Sequence, residues 1–226
     1  MSVKSCIAIT LIFILTKSTQ DAVFTHALIY QYETLTEKGE LWLYHNPKTG
    51  NILFVPEDEM IDYVIADTLG NYYFFGDNGH GEKVATLQQI DWVTGELHEN
   101  SPKSDHLITF EPIAENKVIK NAEAINQNII CKGFKMIYNK TAGQQNIFFT
   151  ENIPINSYQV YGFNRLQGDI RLLVPQLDMI GIVSKEQLVT HIENDTFKLE
   201  LVAYEYNPFE LNVAEYKVLD KKISKN

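Results

Sequence analysis

Cysteine is nearly missing from this chain, with two residues among 226, at positions 6 and 131. Cys6 falls in an N-terminal stretch that reads as a leader, so the mature chain keeps Cys131 alone and no intramolecular disulfide can form. The core must then hold the fold unaided. Catalytic signatures are missing too: there is no Gly-x-Ser-x-Gly elbow, phosphate-binding glycine loop, His-Glu-x-x-His or Cys-x-x-Cys. The six histidines (26, 45, 80, 98, 106 and 191) are scattered, none with a partner at metal-ligand spacing. Basic residues are scarce, 19 against 29 acidic. Loss of residues 1–20 would remove Lys4 and Lys17 and no acid, leaving 17 against 29 and a net charge of −12. A surface that negative repels phosphate backbones and anionic lipid heads, so nucleic acid is not an expected partner. No repeat of fixed period and no low-complexity linker divides the chain.

What is present begins at the N-terminus. Lys4 precedes an apolar run from Ile7 to Thr16, and Lys17-Ser18-Thr19-Gln20-Asp21 follows as a polar exit. Charged head, apolar middle and polar tail make the pattern of a secretory signal over residues 1–20. As a helix the run is about 15 Å long, roughly half the hydrocarbon core of a bilayer, too short for a stable span. The expected product is an exported chain, periplasmic or outer-surface, with a single β-rich domain over 21–226 and no transmembrane segment. Cys6 precedes the apolar run, the wrong order for a lipid-attachment cysteine. With 45% hydrophobic and 21% charged residues, the chain can fill a core.

From His26 to Trp92, short apolar and aromatic runs alternate with turn signals. Leu28–Tyr32, Leu41–Tyr44, Ile52–Val55, Ile61–Ile65, Tyr72–Phe75 and Lys83–Trp92 read as strands. The turns fall at Thr36–Gly39, Asn46–Gly50, Asp67–Asn71 and Gly76–Gly81. Loops this short join antiparallel neighbours, because a parallel crossover needs about a dozen residues or more. A second meander is expected from Phe134–Tyr138 through Ile147–Thr150, with later strands at Ile170–Val174, Phe197–Tyr206 and Val213–Leu219. Val118, Ile119, Ala122 and Ile125 follow helical spacing, so a short helix is expected over 115–127. Ser184-Lys185-Glu186-Gln187 fits a capping box, and Leu188 and Ile192 would share a face of the helix it starts. The fold class is mainly β: a curved antiparallel sheet or half-barrel of hairpins with one to three short covering helices.

The strands 41–44 and 72–75 are apolar on both faces, whereas a sheet wetted on one side alternates more cleanly. A helix, a second sheet or a bound apolar ligand must cover the second face. If a ligand does so, the residues facing it are expected to be Trp42, Phe54, Tyr63, Phe74, Phe134, Met136 and Phe148; ordinary core packing accounts for the same residues. Asp77, Asn78, His80 and Glu82 crowd one Gly-rich loop, but their spacing misses the EF-hand pattern and a hairpin loop explains them. Glu57-Asp58-Glu59 reads as a solvated turn and Cys131 as a small strand or loop residue. Asp105-His106 lacks a nameable nucleophile. No catalytic residue, metal or cofactor is expected.

Two segments resemble a known pattern. Ile130-Cys131-Lys132-Gly133-Phe134-Lys135-Met136-Ile137-Tyr138 is similar to the Gly-aromatic strand ending in Tyr of the GLPGLI family of exported bacterial domains. Ile147-Phe148-Phe149-Thr150-Glu151-Asn152-Ile153-Pro154-Ile155 is similar to the aromatic-Thr-x-x-Ile-Pro-Ile strand that follows it there. The resemblance covers about residues 128–175. It departs at Leu166-Gln167-Gly168-Asp169-Ile170, which stands where the naming motif belongs, and at Phe148 or Phe149, where Trp is usual. It implies a half-barrel similar to the LolA/LppX lipoprotein carriers and no catalytic residue. Three functions are therefore carried forward: a non-enzymatic envelope protein binding a lipid or other apolar ligand, an envelope interaction or assembly module, and a hydrolase with an unorthodox site.

Overall fold

The computed structural model describes residues 22–56, 59–89, 108–138, 143–155, 159–160 and 187–219, and there alternating apolar residues punctuated by Gly and Asn produce mostly strands. The expected leader over 1–20, the strand expected at Ile170–Val174 and the pair Asp105-His106 lie outside the described residues. Six strands come first: β1 (Ala22–Thr34), β2 (Lys38–Asn46), β3 (Asn51–Phe54), β4 (Ile61–Ala66), β5 (Asn71–Asp77) and β6 (Lys83–Gln89). They are followed by β7 (Ile108–Ala122), β8 (Gln127–Tyr138), β9 (Gln144–Thr150), β10 (Leu188–Glu193), β11 (Phe197–Leu211) and β12 (Lys217–Val218). All twelve join one curved, unclosed sheet in the order β12-β6-β5-β4-β3-β2-β1-β11-β10-β9-β8-β7. Among the described residues, every pairing is antiparallel except that of β12 with β6.

The order has a simple logic. Strands β1 to β6 pair in sequence as one meander, β7 to β11 as another, and the long ladder between β1 and β11 joins the two. Short turns set each register. In the β4–β5 turn, Asp67 Oδ1 accepts from Leu69 N at 2.8 Å and Asn71 N at 3.0 Å, while Gly70 takes φ 88°, a conformation that disfavours a Cβ.

Three sequence expectations need correction. Residues 115–127 form no helix; they are the end of β7, a turn and the start of β8. Register shifts between Ile113 and Lys117, and between Ile119 and Ala122, break the strand alternation and imitate helical spacing. The β-branched Val118 and Ile119 suit a strand, and Asn126 closes the turn at φ 50°. Leu188 and Ile192 lie on strand β10, not on a helix. Its first five residues are all buried, and a strand buried on both faces carries no alternation for periodicity to detect. The strand expected at Val213–Leu219 is a 3-10 turn over Val213–Glu215 followed by the two-residue β12. Asn212 caps that turn by accepting from Ala214 N at 3.1 Å.

The core occupies both faces of β3, β4 and β5. On the inner face Ile52, Phe54, Val64, Ala66, Tyr72 and Phe74 join a large cluster that runs through Leu28, Leu43 and Leu201 to Ile129 and Ile147. On the outer face the alternate residues Leu53, Ile65 and Phe75 join a second cluster with Phe24, Ala85, Leu211 and Tyr216. The chain itself covers each face. Inside, Ile153, Ile155 and Val160 enter the large cluster. Tyr72 Oη donates to the Gln159 carbonyl at 2.6 Å, and Gln159 Nε2 donates to the carbonyls of Gly50 and Ala66, each at 3.0 Å. Outside, the end of β11 and the 3-10 turn lie across the sheet. The Phe209 ring lies tilted 4.8 Å from Tyr44, and Tyr216 sets its edge 5.1 Å from Phe75 while donating to Asp62 at 2.9 Å. At the far end, the β7–β8 turn folds back to β11, where Ala124 N donates to the Tyr204 carbonyl at 3.1 Å.

Candidate functional site

The seven aromatic and apolar residues expected to line a ligand face divide between the two faces. Phe54 and Phe74 flank Val64 in one inner row across β3, β4 and β5 and are buried against protein neighbours. Met136 and Phe148 belong to the same cluster, and Phe134 packs on its margin with its ring edge-on to Phe110 at 5.4 Å. Tyr63 is on the outer face, 5.7 Å from the Phe209 ring. Trp42 is half-buried; its ring lies 6.3 Å from Tyr44 and its Nε1 donates to Glu40 Oε2 at 3.1 Å. Five of the seven therefore come together and two do not.

The Gly-rich loop at 77–82 uses its polar groups on itself. Asp77 Oδ1 accepts from Gly79 N and Gly81 N at 2.6 and 3.1 Å, and Asn78 Oδ1 from His80 N and Glu82 N at 2.9 and 3.3 Å. These side chains brace a turn. Among the described residues, no three His, Cys, Asp or Glu side chains converge as a metal site would require. Cys131 is fully buried, and burial pushes its thiol pKa up, away from the thiolate a nucleophile needs.

Two polar constellations escaped sequence reasoning. The first is a groove of about 400 Å³ at one end of β1, β2 and β11, lined by Gln31, Tyr32, Glu33, Lys38, Gly39, Glu40, Lys198 and Glu200. Both of its lysines are paired, Lys38 with Glu33 at 2.6 Å and Lys198 with Glu200 at 2.8 Å, and Glu40 accepts from Trp42 Nε1 at 3.1 Å. Exposed pairs of this kind contribute about 0–1 kcal/mol. Behind Glu200 stands buried His191, whose Nε2 lies 3.5 Å from Glu200 Oε1 and whose Nδ1 lies 2.9 Å from Thr190 Oγ1. Burial first, and the charge of Lys117 second, push the His191 pKa down against the pull of Glu200. Burial raises the Glu200 pKa, but Lys198, His191 and Lys117 together outweigh it and hold the carboxyl below its usual range.

The second constellation sits where β2, β1 and β11 meet. His45 is 0% exposed, with Nδ1 3.2 Å from Tyr204 Oη and Nε2 buried without a hydrogen-bond partner. Its cross-strand partner is His26, whose ring stacks 5.4 Å from Tyr204 and lies 6.0 Å from Tyr206. Burial, and then His26, lower the His45 pKa to about 4. A signal for this pair was available: His26 and His45 lie seven residues beyond Glu33 and Lys38, the last ladder pair before the turn. Counting outward from that turn makes them opposite.

With these sites in place, the fold defines the chain as a mainly β protein built on one open sheet. No family model matches the chain, and no curated protein matches it. Among the described residues, no helix is long and apolar enough to cross a membrane.

Proposed function

We propose that the chain is an exported, non-enzymatic protein of the bacterial cell envelope that acts as an interaction or assembly module. Support for export comes from the leader pattern at residues 1–20 and from the resemblance at 128–175 to exported domains. The observation that carries the module reading is the intramolecular cover over β3–β5. Strands apolar on both faces had called for a ligand as one of three possible covers. The protein supplies its own, inside from Ile153, Ile155 and Val160 and outside from Phe209, Leu211, Val213 and Tyr216. This cover favours the module reading over a lipid cavity, with Phe54, Phe74, Met136 and Phe148 packed in the large cluster.

The reading also draws on what remains exposed. Val118 and Ile130 are cross-strand partners on the β7–β8 hairpin, 48% and 52% exposed. Strand β7 forms the sheet edge, guarded by Pro112, Glu111, Glu115 and Lys120 against unregulated strand addition.

Native mass spectrometry of gently purified mature protein tests the reading, with the mass of the chain alone as the expected result. A stoichiometric lipid adduct would restore the carrier reading. A companion test replaces Val118 and Ile130 with Ser. Stability should change by no more than about 0.5 kcal/mol, as for exposed sites, while co-fractionation with the envelope falls.

A further inference from the structure

The joint between the two meanders contains a titratable pair that no catalytic or binding role explains. His26 and His45 are cross-strand partners on β1 and β2, with ring centroids 6.5 Å apart, and both lie against Tyr204 of β11. The His45 ring is fully enclosed, and its Nε2 meets no acceptor. Each element packed against it contributes little to balance a charge. From β1 comes a second histidine, from β11 the Tyr204 hydroxyl, and from β3 the apolar Ile52. His26 has Thr25 Oγ1 at 2.8 Å from its Nδ1 and the edge of Tyr206. Among the described residues, no carboxylate or ammonium group acts on either ring; the only charge acting on His45 is that of His26.

The same stretch of chain also holds down the outer cover. Residues 22–28 of β1 pair with 204–211 of β11, with a register shift between Phe24 and His26. Phe24, Phe209 and Leu211 of those segments reach the second cluster over Leu53, Ile65 and Phe75. A charge placed on the inner side of this ladder therefore strains the residues that seal the outer side.

We propose that the His26–His45 pair is an acid-sensitive latch: protonation loosens the outer half of the β1–β11 ladder and lifts the C-terminal cover from the outer face of β3–β5. A neutral imidazole tolerates the enclosed position, whereas an imidazolium brings an N–H without an acceptor and repels its neighbour. Opening the ladder hydrates both rings. The rest of the sheet, joined through β2–β5, keeps its pairing. This goes beyond the proposed module function and depends on the fold alone.

Hydrogen exchange by mass spectrometry on the full mature chain, corrected for intrinsic rates, tests the latch between pH 7.5 and 4.5. The expected result is that amides of 22–28 and 204–211 lose protection on acidification while those of 52–54 and 64–66 keep it. Binding of a hydrophobic dye should rise over the same range. Because His45 variants risk misfolding, the decisive variant is His26→Gln, at a partly exposed position. The wild-type opening should take up more protons than that of the variant, whose midpoint should lie at lower pH. Loss of protection across the whole sheet at once, none down to pH 4.5, or a transition unmoved by His26→Gln overturns the proposal.

Discussion

Gly133 lacks a side chain because Phe148 occupies the space. A Cβ at Gly133 would meet the Phe148 ring at 2.6 Å, and the two residues are direct cross-strand partners on β8 and β9. Gly133→Ala should therefore force the ring aside and cost about 1–3 kcal/mol, as overpacking does, read as a lowered urea midpoint at unchanged slope. His45 gives a second prediction at this scale. Above pH 6.5 it is neutral in both folded and unfolded chains and contributes no pH dependence. As pH falls below 6.5, the unfolded chain takes up a proton that the folded chain resists until about pH 4. Stability should thus decline through that window, by roughly 3 kcal/mol at its acid end. Denaturant melts at pH 7, 5.5 and 4 check this, and a His45→Phe variant that still folds should show a shallower decline.

At the scale of the element, Tyr216 shows how a short segment can matter to a large sheet. Its ring closes the outer cluster against Phe75, and its hydroxyl donates to Asp62. Tyr216→Phe should cost about 1 kcal/mol for the lost hydrogen bond, and Tyr216→Ala about 3 kcal/mol or more for the uncovered ring site. Chemical denaturation distinguishes them. Strands bounded by strong turn chemistry were legible in the sequence: Asp67 and Gly70 mark the β4–β5 turn, and Asn46 and Gly50 the β2–β3 turn. Where tertiary burial breaks alternation, legibility ends. Leu188–Ile192 is buried on both faces, and two register shifts lend 115–122 a helical spacing. Trp42 and Tyr63 went astray for a related reason. Period two assigns alternate residues to opposite faces, but it does not say which faces are covered or by what.

For the whole molecule, the ladder between β1 and β11 is the organising contact, since it pairs Ala22 with Leu211 and Thr34 with Phe197. Nothing local in sequence announces it. Pairing the first strand with the last long one carries a loop-closure cost paid before the contact stabilises anything, so folding should be slow for a chain this size. Stopped-flow refolding on the scale of seconds, with Leu201→Ala slowing it less than it speeds unfolding, fits a late-forming ladder. The open sheet, the two meanders and the apolar character of both faces could be read ahead of the structure. The identity of the covers could not, because Ile153, Ile155 and Val160 inside, and Phe209 and Tyr216 outside, lie far along the chain from the strands they shield.

Thiol labelling of residues 21–226 tests that cover most directly, because the one native cysteine in that span, Cys131, is buried. Single substitutions Ile52→Cys on the inner face and Leu53→Cys on the outer face should label as slowly as Cys131, and Tyr216→Ala should speed Leu53→Cys alone. Leu69→Cys, at a position 73% exposed, sets the fast limit. If either buried site labels at that limit in the otherwise native chain, the protein does not seal its own sheet and the account fails.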